Sequence, residues 1–263
     1  MPADYHMHTP LCHHAEGWPV DYAQAALERG IDEIGFADHN PMAEHFDDWR
    51  MSLDDLPRYI DAVQEAREKF PSLKIRLGLE VDFIAGREKW VEKLVKLADW
   101  DFFIGSVHYI APGWDVDNPK WIGRFKEMPV EEIWMLYWKA YEQCIRTQLF
   151  DFVAHPDLVK KFGFKPGGDL RKFYEPSIVA LAEKNGAFEI NTAGLRKPVG
   201  ELYPGDMFLK MAREADVPLL INSDAHAPGE VGADFDKAVA LAKEIGYTQT
   251  VRLHKRERSL VAL

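Results

Sequence analysis

Residues 4–14, DYHMHTPLCHH, hold four of the ten histidines of the chain: His6, His8, His13 and His14. Their irregular spacing, and the ordinary sequence that follows, set the run apart from a tag or a histidine-rich tail. Neutral imidazole is the commonest side-chain ligand for a metal ion, so metal binding is the chemistry this run suggests. Further donors occur singly along the chain: His39 in EIGFADHN, Glu80 in KIRLGLEVDF, His108 in FFIGSVHYI, His155 in DFVAHPD, and Asp224 with His226 in PLLINSDAH.

These donors recur because short apolar runs alternate with amphipathic stretches. Strands are expected at 3–8, 33–40, 74–83, 102–110, 151–157, 187–194 and 218–226. Helical patterns are expected at 20–30, 52–70, 87–98, 130–148, 169–185, 205–215 and 233–246, with Gly30, Gly186 and Gly246 as stops. Ser52 with Asp55 three residues on is a helix-start signal. Strands alternating with helices imply an α/β chain with a parallel sheet, and a distorted seven-stranded (β/α) barrel, TIM-like, is the economical closure. An open doubly wound sheet is the alternative. Residues 248–254 read as a further strand or an edge element. No linker divides the chain, so 1–263 is expected to form one domain.

Six of the seven expected strands finish in a potential ligand, and the other finishes in Asn191. In a parallel barrel those ends share one face, where catalytic groups gather. His6 and His8 are two apart, so on a strand both point the same way, as do Asp224 and His226. The candidates are His6, His8, His14, His39, Glu80, His108, His155, Asp224 and His226. A single zinc takes about four ligands, so this set suits two or three ions. Zinc, iron and manganese all accept imidazole and carboxylate. The loops 39–51 and 111–129 follow strands and should build or cover that face.

The net charge of −11 argues against a nucleic-acid backbone as partner. It leaves small anions open, because bound cations can reverse the field inside one pocket. No apolar run reaches the roughly 18 residues needed to span a bilayer, and no secretory signal is read at the N-terminus. Two cysteines, Cys12 and Cys144, form no disulfide framework, which fits a cytoplasmic protein.

The motifs HMHTPLCHHAEG, ADHNPM, LGLEVDF, GSVHYI, AHPDLVKKFG, EINTAGLRKPVGELYP and INSDAHAPGEVG resemble the PHP (polymerase and histidinol phosphatase) superfamily, and within it the bacterial histidinol-phosphate phosphatases. The resemblance spans almost the whole chain. It implies a trinuclear centre and hydrolysis of L-histidinol phosphate, in histidine biosynthesis, by a hydroxide that bridges metal ions. The first ion would take His6, His8, Glu80 and Asp224; the second Glu80, His108 and His155; the third His14, His39 and His226. The family spacing selects His14 over its neighbour His13.

Glu80, Asp224 and His226 are thus expected to be catalytic through the ions. Asp38, beside His39, is a candidate orienter of a ligand or the acid for the leaving group. Arg196 and Lys197 are candidate phosphate contacts, with Lys160 and Lys161 as a second cationic pair. Glu16, Asp82, Trp114, Asp115 and Asp117 are expected near the mouth. Trp134, Trp138 and Tyr141 read as core, His45 and His254 as surface, and Cys12 as packing. The competing activities are hydrolysis of another small phosphate ester, such as a nucleotide, and amidohydrolase-type cleavage of a carbon–nitrogen bond. A non-enzymatic role, as when such a domain supports a larger polymerase, is the third possibility.

Overall fold

A computed structural model describes residues 2–263. Its main sheet has six parallel strands in the order β1 (Glu33–His39), β2 (Lys74–Asp82), β3 (Phe102–Ser106), β6 (Phe152–Val153), β7 (Phe188–Asn191) and β8 (Leu219–Asn222). Helices α1 (Pro19–Glu28), α2 (Leu56–Lys69), α3 (Glu88–Leu94), α5 (Val130–Thr147), α6 (Arg171–Glu183), α7 (Asp206–Glu214) and α8 (Phe235–Ile245) cover it. Between β3 and α5 lie the hairpin β4 (Tyr109–Ala111) and β5 (Trp114–Asp115) and the short α4 (Arg124–Glu127). The undecided stretch near 248–254 becomes β9 (Gln249–His254), paired antiparallel with β10 (Glu257–Ala262).

The expected first strand, 3–8, is the main departure. It makes only isolated bridges, Asp4 to Ile34 and Met7 to Ala225. Side chains replace the missing ladder: the Tyr5 amide donates to Asn222 Oδ1 at 2.8 Å and the Ser223 amide to Asp4 Oδ1 at 3.0 Å. The segment therefore lies between β1 and the end of β8 and joins the two edges of the curled sheet.

Strand alternation sorts the side chains. Ile34 and Phe36 of β1 face outward against α1 and α2, with Tyr22, Ala26, Tyr59 and Val63. Ala37 faces inward, with Tyr5, Phe102, Ile104, Phe152, Ala154, Ala187, Leu220, Val251 and Leu253. These side chains fill the inside of the barrel. Phe102 fills its waist because Gly35 and Gly78 face it; a Cβ added at either would meet the ring at 2.7 or 2.6 Å. Trp134, Trp138 and Tyr141 of α5 are buried in the outer layer, as their helical spacing indicates.

Every expected helix forms. Ser52 and Asp55 make the reciprocal capping pair, on a short turn that leads into α2. Gly246 follows α8 with φ 105°, but after α6 the left-handed residue is Asn185 (φ 50°) rather than Gly186. No helix among the described residues is long and apolar enough to cross a membrane.

Candidate metal centre

The parallel register places His39 of β1 directly opposite Glu80 of β2. The other donors lie on the same end of the sheet, at strand tips or just past them. His155 follows the short β6, where its amide donates to Glu189 Oε1 at 2.9 Å instead of continuing the ladder. Asp224 adopts a left-handed conformation (φ 52°) two residues past β8.

Glu80 is the hub. Its Oε2 lies 3.3 Å from His6 Nε2, 3.6 Å from His8 Nε2 and 2.9 Å from His39 Nδ1. Its Oε1 lies 3.0 Å from His155 Nε2 and 3.6 Å from His108 Nε2, and accepts from Ser106 Oγ at 2.6 Å. Two faces of one carboxylate thus meet two groups of imidazoles. Asp224 Oδ1 sits 3.2 Å from His8 Nε2 and 3.7 Å from His6 Nε2. At the outer rim, His226 Nε2 and His14 Nε2 are 3.0 Å apart. His14 Nδ1 donates to the Cys12 carbonyl at 2.7 Å, which leaves Nε2 with its lone pair. His13 is exposed and left-handed (φ 66°), and it stays out of the cluster.

Ligand atoms lie within 4.8 Å of one another in four sets made of histidines and carboxylates alone: His6, Glu80 and His155; His6, His8 and Asp224; His8, His39 and Glu80; and His14, His39 and His226; a fifth set joins Cys12 to His8 and His226. His6 Nε2, both ring nitrogens of His8 and Glu80 Oε2 are buried without a hydrogen-bond partner. Buried polar atoms are nearly always paired, so convergent orphans of this kind fit a cation. Charge gives the same answer. Glu80, Glu189, Asp38 and Asp82 are buried and Asp224 nearly so, while Arg50 is the one buried guanidinium beside them among the described residues. Negative charge of that density is very costly in a low-dielectric interior unless protons on the rings or bound cations offset it.

The groups respond to that density in different ways. Burial pushes the Glu80 and Asp224 carboxyls upward, yet His6 and the surrounding imidazoles hold both well below the usual carboxylate range. Burial and the neighbouring His8 push His226 well below the usual imidazole value. His39 falls to about 4, through burial against the opposing pull of Glu80. His6, His8 and His108 move the other way: burial pushes them down, but the carboxylates around them raise all three above the usual imidazole value, so these rings carry protons wherever no cation takes their place.

Three carboxylates aim the ligands from behind. Glu189 was not singled out in the sequence. Its oxygens lie 3.1 Å from His6 Nδ1, and it also accepts from Asn191 Nδ2 and Asn222 Nδ2, both at 2.7 Å. The available signal was an acid in the middle of a strand buried on both faces. Asp82, expected at the mouth, instead accepts from His108 Nδ1 at 2.8 Å and from Arg50 Nη2 at 2.8 Å. Asp38 accepts from the Thr9 amide at 3.1 Å, the Thr9 hydroxyl and the His39 amide, and lies 3.5 Å from His8 Nδ1. It is buried and occupied, which fits an orienter and not an acid for a leaving group.

The sequence profile of the PHP domain matches residues 4–193. The chain belongs to the PHP family. It is 42% identical over 255 residues to the "Probable histidinol-phosphatase" of Deinococcus radiodurans, covering 96% of this chain and 97% of that protein. It is 29% identical to the histidinol-phosphatase of Bacillus subtilis, covering 89% of this chain and 96% of that protein. Among solved structures, histidinol phosphate phosphatase of Lactococcus lactis, complexed with zinc, L-histidinol and phosphate, superposes with a TM-score of 0.82 at 21% identity. That likeness covers 98% of each chain and bears on the fold.

In this PHP chain a cavity of about 190 Å³ opens over the cluster, lined by Glu80, Asp224 and five of the imidazoles but neither His6 nor His8, together with Asp117, Lys161, Lys197 and Tyr203. A second, of about 340 Å³, adjoins it and brings in Trp49, Asp115, Asn118 and Pro119 from the two long loops. Lys197 and Lys161 therefore face the centre. Lys160 does not: it is buried, and its ammonium is bound to Asp157 at 3.1 Å and the Leu202 carbonyl at 2.8 Å. Arg196 sits behind the rim, donating to the Ser223 carbonyl at 2.7 Å and to Glu230 at 3.1 Å, with Nη1 unpartnered.

Trp114 is buried in the outer core and Glu16 is exposed. Asp115 lines the second cavity but is taken up by Trp121 Nε1 at 2.6 Å and Asn118 Nδ2 at 2.7 Å. Trp49, which the sequence did not single out, stands edge-on to His39, with ring centroids 4.6 Å apart. The larger cleft under residues 42–54, about 590 Å³, holds none of the ligand histidines.

Proposed function

We propose that this chain is a metal-dependent phosphomonoesterase that converts L-histidinol phosphate and water into L-histidinol and phosphate. The observation that carries the metal-dependent part is the two-sided carboxylate of Glu80, with three imidazoles on one oxygen and two on the other. The substrate follows from the relatives, above all the 42% identical protein that matches nearly end to end. The whole chain acts as one domain, in the cytoplasm, with the profile match extended by the Asp224–His226 tip.

Three divalent ions complete the reading, zinc, iron or manganese being the candidates. His6, His8, Asp224 and Glu80 hold the first; Glu80, His108 and His155 the second; His14, His39 and His226 the third. When bound, such ions supply a water-derived nucleophile near neutral pH and neutralise charge on the phosphate oxygens. The residues do the rest. Lys197, with Lys161 beside it paired to Asp117, draws the phosphate dianion into an otherwise acidic protein. Arg196, behind the rim, has a buried Nη1 without a partner and is the candidate for a phosphate contact that would require its side chain to turn toward the cavity. Trp49 and Asp117, the latter paired with Lys161 at 2.9 Å, line the adjoining cavity, where the cationic, aromatic remainder of histidinol phosphate would lie. Glu189, Asp82 and Asp38 keep the ligand rings aimed.

Phosphate release from L-histidinol phosphate, measured beside a panel of nucleotides and sugar phosphates, tests this reading. We expect kcat/KM for histidinol phosphate to exceed the panel by at least about 100-fold. A nucleotide preferred about tenfold would overturn the substrate.

A further inference from the structure

The loop that follows β1, residues 40–51, contains neither helix nor strand, yet it carries Trp49 to the wall of the adjoining cavity. A buried guanidinium fixes it there. Arg50 Nε donates to Asp47 Oδ1 at 2.8 Å, and Nη2 to Asp47 Oδ2 at 2.6 Å and Asp82 Oδ2 at 2.8 Å. Nη1 donates to the Asn40 carbonyl at 3.1 Å and to Asn40 Oδ1 at 3.3 Å. Every nitrogen of the fork is engaged, which is the condition for burying such a cation. The guanidinium carbon also lies 4.4 Å from the Trp49 ring centroid.

The two carboxylates it grips belong to different parts of the molecule. Asp82 is the last residue of β2, and its other oxygen accepts from His108 Nδ1 at 2.8 Å. Asp47 is on the loop and accepts from Tyr109 Oη at 2.7 Å; among the described residues it pairs with no ligand histidine. The other tethers of the loop hold its first half, where Trp90 Nε1 donates to the Pro41 carbonyl at 2.9 Å and Arg87 pairs with Glu44 at 3.1 Å. Arg50 thus stands between a candidate metal ligand and the segment that walls the cavity.

We propose that Arg50 is a positioning residue that couples the aim of His108 to the placement of the Trp49 loop. The inference rests on the metal centre proposed above. A guanidinium is a rigid planar fork, so a shift of Asp47 turns the plane that also grips Asp82, and Asp82 sets the His108 ring. Such coupling is reciprocal: loading the centre slows the opening of the loop by the factor that the ordered loop adds to affinity. Lysine cannot take over, because its three donors leave one point and do not span Asp47, Asp82 and Asn40 together.

The test uses the full-length, metal-stripped protein as wild type, Arg50→Lys and Asp47→Asn. Zinc affinity is read by competition with a chromophoric chelator, and amide hydrogen exchange is followed over residues 40–51. Wild type should bind zinc and exchange more slowly across the loop when loaded. Asp47→Asn leaves Asp82 and every ligand in place, yet should weaken one bound zinc about fivefold or more. Arg50→Lys should weaken it about tenfold or more, and both variants should exchange faster over 40–51. A clamp that is merely structural would lower Tm and move neither readout in the loaded protein. Unchanged zinc affinity in Asp47→Asn overturns the coupling and leaves the metal centre standing, as does weaker zinc with unchanged loop exchange. A wild type that binds no zinc overturns both. Asp47 is partly exposed and asparagine keeps its shape, so that variant decides the matter even if Arg50→Lys does not fold.

Discussion

Glu33 and Glu80 are both buried and face the inside of the same barrel, on the neighbouring parallel strands β1 and β2. Their company differs. On the floor, Glu33 accepts from Tyr5 Oη at 2.7 Å, Arg76 Nε at 2.9 Å and Arg252 Nη1 at 2.8 Å. Close by, Asp101 accepts from Arg67 at 2.9 Å and from the Leu77 amide at 3.0 Å. A guanidinium is always charged and brings several donors, so these pairs close on themselves. At the mouth, Glu80 meets imidazoles, which can turn a lone pair toward the same point as the carboxylate. Its Oε1 is paired with Ser106 Oγ and His155, but its Oε2 has no hydrogen-bond partner. The floor is a structural polar layer, while the mouth is a convergent set of donors of the kind that holds cations.

The sharpest way to break this contrast is to truncate the hub. Glu80→Ala should leave the circular-dichroism spectrum native, lower the bound-metal content and reduce kcat by about 10³-fold or more. Retained turnover would refute a bridging carboxylate. Next comes metal removal. Stripping the ions with a chelator should lower Tm by roughly 10 °C, because a set that binds tightly to the native state stabilises it by several kcal/mol. The same treatment applied to Glu80→Ala should shift Tm far less.

Glu189→Gln sharpens the comparison, since it removes the charge behind His6 with little change of shape. Metal affinity should fall by about 10- to 100-fold with the fold retained, read by competition with a chromophoric chelator. The smallest effect belongs to the floor. Asp101→Asn should cost about 1–3 kcal/mol in a urea melt and leave kcat unchanged.

Its pH dependence has a definite sign. Burial pushes the Asp101 carboxyl up, but the Leu77 and Lys255 amides, His254 and Arg67 hold it below its ordinary 3.8. The unfolded chain therefore takes up the proton first. The stabilisation is complete above pH 3.8 and is lost as the pH falls below it, so Asp101→Asn should flatten that acid limb.

Much of the mouth was legible because strand tips are local features. His39, Glu80 and His155 each end an apolar run, and parallel alternation sends such ends to one face. The helices were legible for the same reason, since α5 announces its buried stripe in Trp134, Trp138 and Tyr141. The failures share another cause. Lys160 and Lys161 are neighbours of like charge, and nothing local says which one Asp157 captures. Asp82 stands two residues past Glu80 and looked like a residue of the rim until Arg50 and His108 claimed it.

The sequence by itself determined the donor types and their delivery by parallel strands to one face, because short-range periodicity decides these, while the choice of His14 over His13 came from the resemblance to the family. Only the tertiary structure decided which acid stands behind which imidazole. His6 and Glu189 are 183 residues apart and meet because the curled sheet brings its two edges together. The same closure set Cys12 against His226. A contact made across a closed barrel leaves no trace in the spacing of either partner.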